Sequence, residues 1–162
     1  MNKIRIGING FGRIGRQVFR AVHGAYGDRA EIVAINDLFD AETNFHLLEY
    51  DTNYGQAHLD ARVEGNVAHV GDWEIRCFAE RDPKQLPWGS LGVDVVVEST
   101  GIFRSARDAH VHIDGGAKKV IITAPAKDED LTVVMGVNHE SYDPARHHVL
   151  SNASCTTNCL AP

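Results

Sequence analysis

The chain has 162 residues, 43% hydrophobic and 23% charged, the balance of an ordinary globular domain rather than of a disordered or low-complexity segment. Sixteen basic against twenty-two acidic side chains give a net charge of −6 with no long run of either sign, which argues against a nucleic-acid partner. No apolar run approaches the roughly 18 residues that cross a bilayer, no signal peptide precedes the first strand pattern, and the three cysteines match no secreted disulfide framework; a cytoplasmic protein without a membrane partner is expected.

The opening "KIRIGING" places Ile4, Ile6 and Ile8 in a short β-branched run closed by glycine, the pattern of a buried strand ending in a tight loop. From Arg13 the period changes: Ile14, Val18, Phe19 and Val22 recur at helical spacing, with Gly24 as the expected stop. A second strand, "EIVAIN", follows over 31–36. Phe45, Leu47, Leu48 and Tyr50 predict a short helix before the turn-like "DTNYG", and "AHV" with "WEIRCFA" predict a strand pair around Gly71-Asp72. Residues 93–100, "VDVVVEST", are apolar enough for a strand covered on both faces. Ser105 with Asp108 three residues on can start a helix that Gly115-Gly116 end. "KKVIITAP", "LTVVMGVN" and "HHVLSNAS" read as further strands, and strands alternating with helices predict an α/β fold with a doubly wound, mostly parallel sheet.

The first turn carries "GFGRIG", with Gly10, Gly12 and Gly15 in the G-x-G-x-x-G spacing between a strand and a helix. Asp37 ends the next strand 22 residues after Gly15. The glycines allow a sharp turn and a close backbone approach, and the amides at the helix start, those of Arg13 and Ile14 among them, can face a pyrophosphate. Asp37 can accept from ribose hydroxyls and would repel a 2′-phosphate by roughly 1–4 kcal/mol at contact. The expected cofactor is therefore NAD rather than NADP, bound by a Rossmann-type domain over residues 1–162.

Cys155 lies between the end of a predicted strand and "CTTNCLA", which can begin a helix. A cysteine there gains from the helix dipole and sits on the edge where doubly wound sheets bind ligands, whereas a buried cysteine elsewhere is more often core. The nine histidines show no metal spacing: His110 and His112 stand two apart, His147 and His148 are adjacent, and no metal site is expected.

Taken together, "INGFGRIGR", "INDL", "LLEYDTNYG", "ERDP", "LPW", "VDVVVESTGIF", "GAKKVIITAPAKD" and "SNASCTTNCLAP" resemble the glyceraldehyde-3-phosphate dehydrogenase family from the first strand to the last residue. The resemblance implies that a thiolate attacks the aldehyde of glyceraldehyde 3-phosphate and hydride passes from the thiohemiacetal to NAD. Inorganic phosphate then releases the acyl group as 1,3-bisphosphoglycerate. It makes Cys155 the nucleophile and gives Ser154 and Thr156 a part in the substrate or phosphate site. It brings Arg13, Ile14 and Asp37 to the cofactor, sets Arg81 beside the adenine and Thr123 on a neighbouring strand, and leaves Cys159 a structural thiol.

The family's enzymes have a second half that holds the general-base histidine, further phosphate-binding residues and much of a tetramer interface. The resemblance therefore implies a homotetramer for the whole enzyme, while the 162-residue chain is expected to bind NAD with little turnover and to self-associate through an uncovered apolar surface. A free-standing NAD-binding module without catalysis and an erythrose-4-phosphate dehydrogenase remain alternatives on the sequence.

Overall fold

In the computed structural model, which describes residues 3–162, the elements include the predicted ones in the expected order and three short strands besides. They are β1 (Ile4–Asn9), α1 (Arg13–Tyr26), β2 (Ala30–Asn36), α2 (Ala41–Glu49), β3 (Tyr50–Asp51), β4 (Gly55–Gln56), β5 (Arg62–Glu64), β6 (Val67–Val70) and β7 (Trp73–Phe78). They continue as β8 (Val95–Glu98), α3 (Ala106–Ala109), α4 (Val111–Asp114), β9 (Lys119–Ile122), β10 (Leu131–Thr132), β11 (Val149–Ser151) and α5 (Cys155–Leu160).

Nine strands form one sheet in the order β10-β11-β9-β8-β1-β2-β7-β6-β5, and β3 pairs with β4 in a separate hairpin. Every pairing from β10 to β7 is parallel, while β6 and β5 add an antiparallel edge. The chain leaves β1 toward β2 on one side and returns to β8 on the other, so the strand order reverses at β1. In an open α/β sheet that reversal opens a crevice above the carboxyl ends of the strands.

Burial explains why these strands lack a simple alternation. One core cluster joins Ile8, Ile32, Ile35 and Val97 to Phe19 of α1 and to Phe45 and Leu48 of α2. A second, on the opposite face, joins Val33, Val96, Val120 and Val149 to Ala109 of α3 and to Trp88. Successive strand residues thus point into different cores, and covered strands read as continuous apolar runs.

The structure corrects three details. Helix α1 passes Gly24, where an added methyl would meet no protein atom within 4 Å, and ends at the Gly27 cap. Only Leu131–Thr132 of "LTVVMGVN" pairs as a strand, because Val134 and Asn138 turn back on themselves through mutual hydrogen bonds. The predicted helix after Ser105 is two short helices hinged at His110, although the Ser105 hydroxyl does cap it by accepting from the Asp108 amide at 3.1 Å. Helix α2 has an N-cap that the sequence reading missed: Asp40 accepts from the Thr43 amide at 2.7 Å, and that bond, with the Thr43 hydroxyl, holds its carboxyl below the usual range.

One sheet face remains open. Helices α3 and α4 cover β9 and β11 on one side, but on the other Val95, Ile121 and Leu150 line a cleft of about 490 Å³ beside Met135, which is 64% exposed. No described helix is long and apolar enough to cross a membrane.

Candidate active site

A cleft of about 370 Å³ lies at the strand-order reversal, bounded by Asn9, Gly10 and Gly12 at the end of β1, by Asn36 and Asp37 at the end of β2, and by Ser99 and Thr100 after β8. Glu80, Arg81 and Pro83 close one end, and Leu38, Phe39, Ile102 and Phe103 supply an apolar rim. Phe39 and Ile102 are 64% and 74% exposed, a large apolar area to leave in water unless something flat covers it.

The three glycines are not equivalent. Gly10 takes φ +90°, and a methyl group there would lie 2.5 Å from the Thr100 nitrogen. A methyl on Gly15 would lie 2.3 Å from the Gly10 carbonyl oxygen, so this glycine lets α1 start against the turn. A methyl on Gly12 would meet nothing within 4 Å. Gly12 is also the N-cap of α1 and offers no side chain to the first-turn amides. Open space in front of uncapped amides at the start of a 14-residue helix fits a diphosphate.

Asp37 faces the same space. Its carboxylate accepts from the Phe11 amide at 2.8 Å through one oxygen and from the Phe39 amide at 3.2 Å through the other. Each oxygen keeps a second lone pair for a ligand hydroxyl. Arg81 is exposed at the cleft end. Arg13 and Ile14 are exposed on the first turn of α1, beside Gly12 but outside the cleft wall. Thr123 also lies outside it: its amide and hydroxyl both reach the Glu98 carbonyl, at 3.0 and 3.2 Å.

Beneath the cleft is a buried polar layer that sequence reasoning missed. Asn36 donates to Asn9 at 2.7 Å and to the Glu80 carbonyl at 2.9 Å, while the Glu80 amide donates back to Asn36 at 2.8 Å. Asn9 donates to Glu98 at 2.6 Å. The only sequence signal was the position of Asn9 and Asn36 as polar ends of apolar strands.

Cys155 stands on the same sheet edge. Strands β2, β1, β8, β9 and β11 are successive neighbours, so at about 4.8 Å per strand the loop after β2 and the loop after β11 are roughly 19 Å apart. Ala153 takes a left-handed φ of 56° and turns the chain out of the sheet. Ser154 then caps α5, accepting from the Thr157 amide at 3.0 Å, with its hydroxyl 2.9 Å from that of Thr156. Cys155, the first residue of α5, is exposed, and so is Cys159.

Cys77 contrasts with both. Burial pushes its thiol up to about 11, so it stays protonated under mild conditions. Iodoacetamide at about pH 8 is expected to label the exposed cysteines and spare Cys77; peptide mass mapping that found Cys77 labelled as fast as Cys155 would contradict this.

A parallel sheet that reverses its strand order over such a cleft is that of a nucleotide-binding α/β domain. Comparison with known proteins narrows the class: the chain belongs to the glyceraldehyde 3-phosphate dehydrogenase family, and residues 4–106 match that family's NAD binding domain. It is 59% identical over 97% of its length to glyceraldehyde-3-phosphate dehydrogenase 1 of Streptomyces avermitilis, covering 47% of that relative. It is 61% identical over 98% of its length to glyceraldehyde-3-phosphate dehydrogenase 1 of Bacillus cereus and 58% to the enzyme of Geobacillus stearothermophilus, again covering 47% of each. The chain thus spans about half the length of the curated relatives it matches. NAD is the cofactor of the matching domain.

Proposed function

We propose that this chain supplies the NAD site and the cysteine nucleophile of a phosphorylating aldehyde dehydrogenase acting on glyceraldehyde 3-phosphate. The observation that carries the reading is the shared edge: the Gly10–Asp37 cleft and the exposed Cys155 both lie at the carboxyl ends of parallel strands. The names of the relatives supply the substrate.

In this reading the first-turn amides of Arg13 and Ile14 face the diphosphate, with Gly10, Gly12 and Gly15 giving it room. Asp37 takes the ribose hydroxyls, Arg81 borders the adenine, and Thr123 lies toward the nicotinamide end. When bound, NAD supplies the hydride acceptor. The Cys155 thiolate forms a bond to the aldehyde carbon, and the carbonyl oxygen takes up a proton to give a thiohemiacetal. After loss of a hydride from that carbon and of the hydroxyl proton, the carbon is held as a thioester, whose carbon–sulfur bond breaks when a phosphate oxygen attacks; Cys155 leaves as the thiolate. Ser154 and Thr156 put hydroxyls beside the sulfur for the substrate or phosphate. Residues 1–162 form the dinucleotide-binding domain, and the whole enzyme is a cytoplasmic homotetramer. The open cleft on β8, β9 and β11 is where this chain self-associates.

Calorimetric titration with NAD tests the reading. One saturable site per chain is expected, and occupancy should change the alkylation rate of Cys155 while leaving that of Cys159 unaltered. The absence of saturable binding would overturn it.

A further inference from the structure

The cleft floor depends on a buried acid that neither the fingerprint nor the nucleophile accounts for. Glu98 ends β8, is 2% exposed, and receives four hydrogen bonds from three directions. Asn9 Nδ2 donates to its Oε2 at 2.6 Å from the end of β1. The Thr100 amide donates to its Oε1 at 2.9 Å, and the Thr100 hydroxyl reaches the same oxygen. His112, fully buried on α4, lies with Nε2 2.9 Å from Oε2.

The histidine's role follows from Trp88. An indole N–H can only donate, and Trp88 Nε1 lies 3.0 Å from His112 Nδ1, so Nδ1 is the acceptor and the ring proton sits on Nε2. His112 is therefore a neutral donor to Glu98. Asn9 Nδ2, the Thr100 amide and His112 Nε2 can only donate to Glu98, an arrangement that suits a carboxylate there.

We propose that Glu98 is a positioning residue for the dinucleotide. Its carboxylate ties both walls of the crevice, Asn9 at the end of β1 and Thr100 after β8, to the buried His112–Trp88 pair, and so fixes the loop over 99–103 that lines the cleft. The Ser99 side chain adds nothing to that hold, since its hydroxyl is buried without a hydrogen-bond partner among the described residues. The proposal rests on the NAD reading above.

Glu98→Gln keeps the shape and replaces one oxygen with an amide. Whichever way round it sits, that amide meets a donor: the Thr100 N–H on one side, or Asn9 Nδ2 and the His112 Nε2–H on the other. Asn9→Asp/Glu98→Gln moves the carboxylate across the contact and restores the pairing between positions 9 and 98, while His112 Nε2–H has to turn from position 98 to the introduced aspartate. The introduced glutamine would then accept from Thr100 and donate to the introduced aspartate, whose carboxylate keeps the Asn36 donor and stands where Asn9 Nδ2 is now 3.5 Å from His112 Nε2. Asn9→Asp alone would set two carboxylates against each other.

Calorimetric NAD titration of the four proteins, each below its melting midpoint, tests this. Glu98→Gln is expected to bind NAD about tenfold more weakly, equivalent to about 1.4 kcal/mol, and the double variant to recover to within about threefold of the unsubstituted chain. Ile75→Ala, in the core away from the cleft, serves as a control that loses stability while keeping its NAD affinity. If Glu98→Gln binds as tightly as the unsubstituted chain, or if the double variant shows the summed losses of the two single ones, the positioning role is wrong. Should the unsubstituted chain itself fail to bind NAD, the cofactor reading fails first and this proposal with it.

Discussion

Replacing Asp37 with alanine is expected to weaken NAD binding by about 10- to 100-fold, the loss of one or two hydrogen bonds to a charged acceptor. The carboxylate also accepts from the Phe11 amide at 2.8 Å, so the substitution frees an amide of the glycine turn as well as removing the ribose contact. Asp37→Asn separates the two contributions, because its carbonyl can still accept from Phe11 while the charge is gone. Affinity for NADP should fall much less than that for NAD, or rise, since the like charge that opposes a 2′-phosphate has been removed. Parallel titrations with both cofactors measure the ratio. An unchanged ratio in Asp37→Ala would show that Asp37 does not face the ribose.

The sequence made some of this arrangement visible and hid the rest for physical reasons. Strands β1, β2 and β8 were legible because burial on both faces leaves uninterrupted runs such as "EIVAIN" and "VDVVVEST"; β9 was legible from its apolar run although Ile121 lines the open cleft. The glycine turn and Asp37 were legible because their roles depend on spacing along one βαβ unit. Glu98 was not, because its partner Asn9 is 89 residues away and the two meet only when β1 and β8 pair. Strand β5 was missed for a similar reason: three edge residues, "RVE", with one side chain half-buried, carry almost no pattern. The end of α1 was misplaced because a glycine in an exposed helical turn, Gly24, looks the same in sequence as a glycine that stops one.

Gly12→Ala should leave the domain as stable as before and remove most of its NAD affinity, whereas Gly10→Ala should damage both. The difference lies in what each new methyl group meets. Gly12 has φ −70° and ψ −163°, a conformation open to alanine, and its methyl would touch no protein atom within 4 Å. That emptiness is the space in which the diphosphate would approach the first-turn amides, so the methyl displaces ligand rather than protein. Gly10 stands at φ +90°, with its methyl directed at backbone: 2.5 Å from the Thr100 nitrogen and 2.7 Å from the Ser99 carbonyl carbon. Those atoms cannot easily give way, because the Ser99 amide is bonded to the Asn9 carbonyl at 2.7 Å and the Thr100 amide to Glu98 at 2.9 Å. Strained backbone alone costs on the order of 1–3 kcal/mol, which lowers the melting midpoint by roughly 2–12 °C in a chain of this size before the clash is added. Thermal melts paired with NAD titrations would show a midpoint within about 2 °C of the unsubstituted chain for Gly12→Ala, with affinity reduced at least tenfold. Tight NAD binding by that variant would mean the diphosphate does not lie against the start of α1.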